Sequence, residues 1–70
     1  MKILVNGEIK ALETESNTTN LLMVVEQLGH QAQRIVIEYN GTILQPTFWE
    51  KQLVKDGDTL EIVTIVGGGS

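Results

Sequence analysis

The stretch that decides the fold is LEIVTIV at residues 60–66, followed directly by GGGS at residues 67–70. β-Branched and aliphatic side chains fill most of the first seven positions, which is typical of a strand inside a sheet. Glycine has no Cβ, so three in succession make a thin thread that can enter a narrow channel of another protein. The pattern predicts a last strand and then a flexible tail. A frayed end or an added linker has the same composition, so the rest of the chain must decide what the tail does.

Composition limits the classes of protein to consider. The chain has 70 residues, a net charge of −4 and no cysteine. One small domain fits this length, and without cysteine it has no disulfide, no thiolate metal site and no persulfide of its own. The acidity argues against nucleic-acid binding and favours a basic partner. The apolar runs are far shorter than the roughly 20 residues of a membrane span, and the first residues do not resemble a signal peptide. We therefore expect a cytoplasmic protein.

The first 29 residues predict a β-hairpin followed by a helix. A short β-type run at 2–6 and an alternating segment at 8–12 are joined by an Asn-Gly turn signal at 6–7. After a polar segment, apolar side chains recur at the i, i+3, i+4 and i+7 spacing of one helix face. These positions are Leu21, Val24, Val25 and Leu28. Asn20 or a neighbouring threonine is placed to cap this helix, and Gly29 to end it.

The remaining residues predict a series of short elements before the last strand. A loop at 30–34 leads to a strand at 35–39, and an Asn-Gly turn joins it to a short strand at 42–44. Residues 46–53 predict a helical turn with proline at its head, and Asp-Gly-Asp at 56–58 a tight turn. This order of elements predicts an α+β fold, a mixed sheet covered by one helix, with at least one parallel pairing.

One helix covers only one face of a sheet, so alternation along the strands indicates what the other face carries. The predicted inward residues are Ile3, Val5, Ile35, Ile37, Tyr39, Leu60 and Ile62. The residues left pointing outward are Leu4, Val36, Val63 and Ile65. Because two of them directly precede the glycines, we interpret this set as a docking patch for a partner. The alternative is that they are scattered surface aliphatics, which are common.

Other candidates for chemistry have simpler explanations. His30 has no second histidine or cysteine with which to bind a metal, and Asp56 and Asp58 flank a turn glycine. Phe48 and Trp49 are expected to pack under the edge of the sheet. With no convergent set of polar residues, the sequence predicts neither a metal site nor an enzyme.

The whole chain resembles a known family through a series of short segments. They are VNGE at 5–8, EQL at 26–28, NG at 40–41, Trp49, VKDGD at 54–58, LEIV at 60–63 and VGGG at 66–69. These segments resemble the ThiS family, the small sulfur-carrier proteins of thiamine biosynthesis, whose β-grasp fold is shared with ubiquitin. The resemblance implies a mixed five-stranded sheet of order 2-1-5-3-4 under one helix. This order would place the four outward residues side by side. The end of the last predicted strand at residue 66 gives a domain over 1–66 and a tail over 67–70.

The resemblance also implies a chemistry for the tail. An E1-like enzyme would adenylate the carboxylate of the terminal glycine, using ATP and Mg²⁺, and sulfur from a cysteine desulfurase or similar donor would then give a thiocarboxylate. Thiazole synthase would receive this sulfur. The carrier is then a co-substrate that binds no cofactor itself, with Gly69 as the reacting residue and Gly67 and Gly68 as the thread.

Two departures from the family pattern bear on this reading. The family ends at Gly-Gly, so Ser70 is one residue too many and would be removed first, unless it is an artificial addition or the chain is not a working carrier. Many relatives have Val-Pro-Arg ahead of the tryptophan, where this chain has LQP at 44–46. Three alternatives stay open: the small subunit of molybdopterin synthase, a ubiquitin-like modifier and an inert β-grasp interaction module.

Overall fold

A computed structural model describes residues 1–14 and 18–65 of the chain. The strands are β1 Lys2–Val5, β2 Glu8–Ala11, β3 Thr18–Asn20, β4 Ile35–Tyr39, β5 Thr42–Leu44, β6 Leu53–Lys55 and β7 Thr59–Thr64. The helix α1 spans Leu21–Gln27, and short 3₁₀ turns span Ala32–Arg34 and Pro46–Phe48.

The main sheet has five strands in the order β2-β1-β7-β4-β5. β1 and β7 are parallel, and the other pairings are antiparallel. Counted along the main sheet alone, these are the second, first, fifth, third and fourth strands, so the predicted order is confirmed. The pairing of β1 with β7 places the last strand at the centre of the sheet, where it has a neighbour on each side.

Both hairpins turn on an Asn-Gly pair in the left-handed region of backbone conformation. φ is 52° at Asn6 and 83° at Gly7, and it is 48° at Asn40 and 90° at Gly41. Positive φ at both central residues is the requirement of the two-residue turn whose twist matches that of the strands. The two Asn-Gly signals therefore fix the register of β1 with β2 and of β4 with β5.

The helix begins and ends as the sequence predicts. The Asn20 side-chain oxygen accepts a hydrogen bond from the Met23 amide at 2.8 Å, and Gly29 has a φ of 85°. Leu21, Val24 and Val25 are buried, but Leu28 is only half-buried. Leu28 is the C-cap, and it packs at the margin of the core. Leu28, the last residue of the predicted apolar helix face, therefore lies only partly in the core.

The core lies between α1 and the inner face of the sheet. It consists of Ile3, Val5, Leu12, Leu21, Val24, Val25, Ile35, Ile37, Trp49, Val54, Leu60 and Ile62. All predicted inward residues belong to it except Tyr39, which is half-buried and packs against it. Trp49 is fully buried and its Nε1 donates to the Leu44 carbonyl at 2.9 Å, whereas Phe48 is exposed. The prediction of a packed aromatic pair is thus right for Trp49 and wrong for Phe48.

Two local predictions need correction, and one small sheet was missed. The helical turn expected over residues 46–53 is a 3₁₀ turn at Pro46–Phe48, and the residues that follow lead into β6. β6 pairs with β3 in a second, two-stranded sheet that the sequence did not indicate. The loop expected at 30–34 contains the 3₁₀ turn Ala32–Arg34. The missed elements are only three residues long, and too short to show a periodicity.

Candidate functional site

The four outward residues predicted from the sequence all lie on the sheet face opposite the helix. The exposed fractions are 37% for Leu4, 39% for Val36, 62% for Val63 and 52% for Ile65. Their neighbours Ile3, Ile37 and Ile62 are buried on the inner face, as alternation requires. The strand phase is therefore as predicted, and docking remains a predicted role for these residues.

The register divides this outer face into two apolar areas. Val36 lies directly opposite Val63, and Ile65 follows on the same face of the chain. We call these three residues the tail-side patch. Leu4 instead lies opposite Ile9 on one side and Thr59 on the other.

Leu4 therefore does not adjoin the tail-side patch. Thr59 and Val63 are four residues apart on β7, a separation of about 13 Å along a strand. The expectation that all four outward residues lie side by side is wrong for Leu4. Leu4 and Ile9 form a second area, the hairpin patch. Ile9 is 71% exposed and was missed because residues 8–12 were assigned to a hairpin without a phase.

A pair of carboxylates separates the two patches. Glu38 on β4 lies directly opposite Glu61 on β7, and both belong to the outer face. Like charges directly opposite each other across two strands are destabilising. The face therefore offers apolar surface next to concentrated negative charge, which is complementary to a partner surface that is apolar and basic. Ile43, opposite Glu38 on the edge strand β5, lies outside both patches.

The first residues of β7 are fixed by a hydrogen-bond network around Asp58. One carboxylate oxygen accepts from the Lys55 amide at 2.8 Å and from the Tyr39 hydroxyl, and the other accepts from the Asn40 amide group at 3.3 Å. The Tyr39 hydroxyl also lies 2.9 Å from the Leu53 carbonyl oxygen. The network joins β4, β6 and β7 at one end of the sheet.

The pKa shifts of Tyr39 and Asp58 indicate that this network has a structural role. Burial, with a further contribution from Asp58, raises the pKa of Tyr39 to about 12. Burial by itself would raise the pKa of Asp58, but hydrogen bonds from Tyr39, Lys55 and Asn40 outweigh it and hold that pKa below its usual value. A carboxylate stabilised in its charged form and a phenol stabilised in its neutral form do not exchange protons near neutral pH.

Asn6 fixes the middle of β7. Its backbone amide, directly after β1, donates to the Leu60 carbonyl at 2.9 Å. This is the last backbone hydrogen bond between this part of the chain and β7. Its side-chain amide then forms two hydrogen bonds with the backbone of Ile62, one as donor and one as acceptor. Oδ1 accepts from the Ile62 amide at 2.7 Å, and Nδ2 donates to the Ile62 carbonyl at 3.0 Å. The side-chain amide thus takes the place of a further peptide unit of β1, although the main chain has already turned away.

The predicted reacting residue follows the end of β7 in the chain. β7 ends at Thr64, and the Ile65 amide donates to the Arg34 carbonyl at 2.7 Å. The predicted reacting residue Gly69, its neighbours Gly67 and Gly68, Ser70 and the predicted domain boundary at residue 66 lie outside the described residues.

The described parts of the chain hold neither a metal centre nor a membrane span. Over residues 1–14 and 18–65, no group of three or more His, Cys, Asp or Glu side chains could hold a metal ion. No helix in the same ranges is both long and apolar enough to cross a bilayer.

Over the described residues, a mixed sheet in this order with the helix α1 packed on its inner face is the β-grasp architecture, which defines a small ubiquitin-like domain. The model of the ThiS family matches residues 3–69, so the chain belongs to the ThiS family. ThiS proteins are small sulfur carriers in thiamine biosynthesis. The chain is accordingly a carrier and not an enzyme.

Solved structures of similar proteins have the same fold. The crystal structure of the thiamine biosynthesis protein ThiS from Geobacter metallireducens superimposes with a TM-score of 0.82 at 30% identity, covering 99% of this chain and all of that one. The solution structure of a thiamine biosynthesis protein from the same organism gives a TM-score of 0.78 at 30% identity, covering 100% of this chain and 90% of that one.

Two kinds of relative are similar in sequence. The uncharacterized protein ycf40 of Trieres chinensis is 41% identical over 54 residues, which cover 77% of this chain and 74% of that protein. The thiazole synthase of Paramagnetospirillum magneticum is 34% identical over 70 residues, all of this chain but only 21% of that protein. The second relative is thus a much longer protein in which a segment similar to this whole chain forms about one fifth.

Proposed function

We propose that this sulfur carrier is a co-substrate whose Gly69 carboxylate, freed by removal of Ser70, is adenylated and then converted to a thiocarboxylate. The observation that carries the proposal is the family match, which extends through residue 69 and so includes the glycines after β7. The thiocarboxylate would then donate its sulfur for formation of the thiazole ring of thiamine.

The proposed chemistry has three steps. A carboxylate oxygen of Gly69 attacks the α-phosphorus of ATP, and pyrophosphate leaves. The terminal sulfur of a cysteine persulfide attacks the acyl carbon, and AMP leaves, which gives an acyl disulfide. A thiol then attacks the cysteine-derived sulfur of that disulfide and releases the thiocarboxylate, so that the two cysteine-type sulfurs end as a disulfide. Adenylation is needed because a carboxylate is a poor acyl donor without a good leaving group.

The partners supply the catalysis in this scheme. An E1-like enzyme would bind ATP and Mg²⁺, a cysteine desulfurase or similar donor would supply the persulfide, and thiazole synthase would consume the product. The similarity of the whole chain to a segment of the Paramagnetospirillum magneticum thiazole synthase supports the last of these partners. A narrow tail lets a large enzyme enclose the reacting carbon away from water.

The outer face is the docking surface in this proposal. Val36, Val63 and Ile65 would contact the partner next to the entry of the tail, and Leu4 would contribute from the hairpin patch. The opposed carboxylates of Glu38 and Glu61 favour a partner with basic groups at this position. A channel in that partner would then receive the glycines.

Intact mass after reaction tests the proposal. Protein ending at Gly69 and protein ending at Ser70 are each incubated with the E1-like enzyme, ATP, Mg²⁺, a persulfide donor and a thiol. The form ending at Gly69 should gain about 16 Da, because sulfur replaces oxygen at the acyl carbon. The form ending at Ser70 should not react, because one extra residue adds about 3.5 Å and displaces the carboxylate from the reacting position.

The controls decide between the alternatives. Protein ending at Gly68 has a tail that is one residue too short, and it should also stay unmodified. Equal reaction of the Gly69 and Ser70 forms would remove the trimming step from the proposal. No gain of mass in any form would favour the inert interaction module, and a covalent adduct with lysines of other proteins would favour the ubiquitin-like modifier.

A further inference from the structure

We infer that the edge of β7 at Thr64 accepts an extended strand from the adenylating partner, and that Asn6 sets the point at which this foreign strand begins. The inference rests on the proposed function, since the partner that adds the strand is the enzyme that receives the tail. It assigns a role to the backbone of β7, in addition to the side chains of the outer face.

The direction of the backbone groups along β7 follows from the observed hydrogen bonds. The Leu60 carbonyl and both backbone groups of Ile62 point towards β1 and Asn6. Thr59 and Ile65 point to the other side, where they pair with Asn40 and Arg34. Backbone groups of alternate residues point to the same side of a strand. The N–H and C=O of Thr64 therefore point to the β1 side, as those of Ile62 do.

Within the ranges 1–14 and 18–65, no residue of β1 pairs with Thr64 on that side. The register of β1 with β7 consists of Leu4 with Thr59 and Val5 with Leu60. Asn6 then pairs with Ile62 through its side chain, and the chain turns into β2 through Gly7 with a φ of 83°. Asn6 thus ends the pairing two residues before the end of β7, and Thr64 is the first position of an open edge.

An extended polypeptide is the ligand that fits this edge. A strand that is added to a sheet edge pairs its backbone N–H and C=O with those of the edge and takes its specificity from neighbouring side chains. Val63 and Ile65, on either side of Thr64, are 62% and 52% exposed, and Glu61 lies on the same face. An added strand with apolar and basic side chains would match both the backbone groups and this face.

The position of the edge indicates the adenylating partner as the source of the strand. Thr64 is the last residue of β7 and leads through residues 65 and 66 to the glycines. An enzyme that encloses the glycines must pass alongside this edge. A second copy of the carrier could offer its own Thr64 edge, but such a dimer would occupy the route to the tail. Self-association is therefore an outcome for the experiment to exclude.

Amide hydrogen exchange tests the inference on the unaltered protein ending at Gly69. In the free protein the Thr64 amide should exchange rapidly, whereas the Ile65 amide, bonded to Arg34, should be protected. On binding the adenylating enzyme, the exchange of Thr64 should slow at least tenfold, and that of Ile65 should change less. Protection of Thr64 in the free protein that increases with concentration would show that a second copy occupies the edge, and would overturn the inference.

A proline variant tests the same hydrogen bond by removing its donor. Thr64→Pro deletes an N–H that does not pair with β4, and proline is tolerated at such an edge position. We expect the variant to fold and to bind the enzyme roughly tenfold more weakly, which is the effect of losing a hydrogen bond of about 1.4 kcal/mol. Thr64→Ala keeps the N–H and should bind more tightly than Thr64→Pro.

Ile43→Pro is the matched control on the opposite edge of the sheet. Glu38, opposite Ile43, directs its own backbone groups towards β7, so those of Ile43 point away from β4 to the outer edge of β5. Ile43→Pro should therefore remove an edge N–H and leave binding much closer to that of the unaltered protein than Thr64→Pro does. Equal loss with both prolines would show a general effect on the sheet and overturn the inference.

The inference and the proposed function fail in different ways. Normal conversion of the Gly69 form to a thiocarboxylate, together with an unprotected Thr64 amide in the complex, would overturn the added strand and leave the carrier function intact. Failure of every form to react would remove both. Normal binding and conversion of Thr64→Pro would also exclude the strand, whatever the exchange data show.

Discussion

The two ends of β7 are held in different ways. At its beginning, the carboxylate of Asp58 joins three strands, and the pairing with β1 continues to Leu60. At its end, pairing remains with β4 alone, and the outward side chains Val63 and Ile65 are exposed. The proposed function requires the carrier to keep its fold while a partner binds its last residues. One strand can meet both demands when its fixed half precedes its accessible half.

The largest expected change in stability comes from a substitution in the fixed half of β7. Ile62→Ala removes a side chain that is 7% exposed between the sheet and the helix, and should lower the free energy of unfolding by roughly 2 to 5 kcal/mol. Leu28→Ala, at the half-buried margin of the core, should cost less. Urea unfolding of both variants measures the difference. Equal and small losses would show that α1 does not cover the part of β7 assigned to it.

The pH dependence of stability tests the anchor around Asp58. The pKa of Tyr39 is raised from 10.0 to about 12 in the folded state, so its contribution is fully present below pH 10 and is lost as the pH rises towards 12. The pKa of Asp58 is lowered, so its contribution is present above its unfolded value and is lost as the pH falls through the folded one.

Variants separate the two limbs of this profile. Tyr39→Phe should flatten the loss of stability in alkaline solution, and Asp58→Asn should flatten the loss in acid. Thermal unfolding midpoints across the pH range provide the measurement. An alkaline limb that is unchanged in Tyr39→Phe would show that another group causes it.

The smallest expected effect concerns the opposed carboxylates of the accessible face. Glu61→Gln removes one charge of the pair with Glu38 and should raise the free energy of unfolding by a few tenths of a kcal/mol at low salt. Added salt should reduce the gain, because it screens exposed charges. The same variant should bind a basic partner more slowly. A gain that does not depend on salt would exclude charge repulsion as its cause.

Much of this arrangement follows from local sequence. Alternation in β4 and β7 gives the phase that buries Ile37 and Ile62 and exposes Val36 and Val63. The Asn-Gly turns and the Asn20 cap are likewise signals of adjacent residues. The order of the sheet came from the resemblance to the ThiS family, since periodicity alone does not choose a strand's neighbours.

The features that the sequence did not reveal depend on distant partners. Asn6 was noted only as a turn residue, because its side-chain partner Ile62 is 56 positions away. The pairing of β3 with β6 joins two three-residue segments without a periodic pattern. The separation of Leu4 from Val63 depends on the register of a parallel pair, which no turn fixes.

The division of β7 into a fixed half and an accessible half is tested most directly by the rate of adenylation of the Gly69 form that carries Val63→Asp. Adenylation is measured by exchange of pyrophosphate into ATP, at a temperature at which circular dichroism shows the variant to be folded. We expect an unfolding midpoint close to that of the unaltered protein and a binding loss of about 2 kcal/mol, measured at enzyme concentrations below saturation. An unchanged rate of exchange, or a variant that unfolds like Ile62→Ala, would contradict the division of β7 into a fixed half and an accessible half.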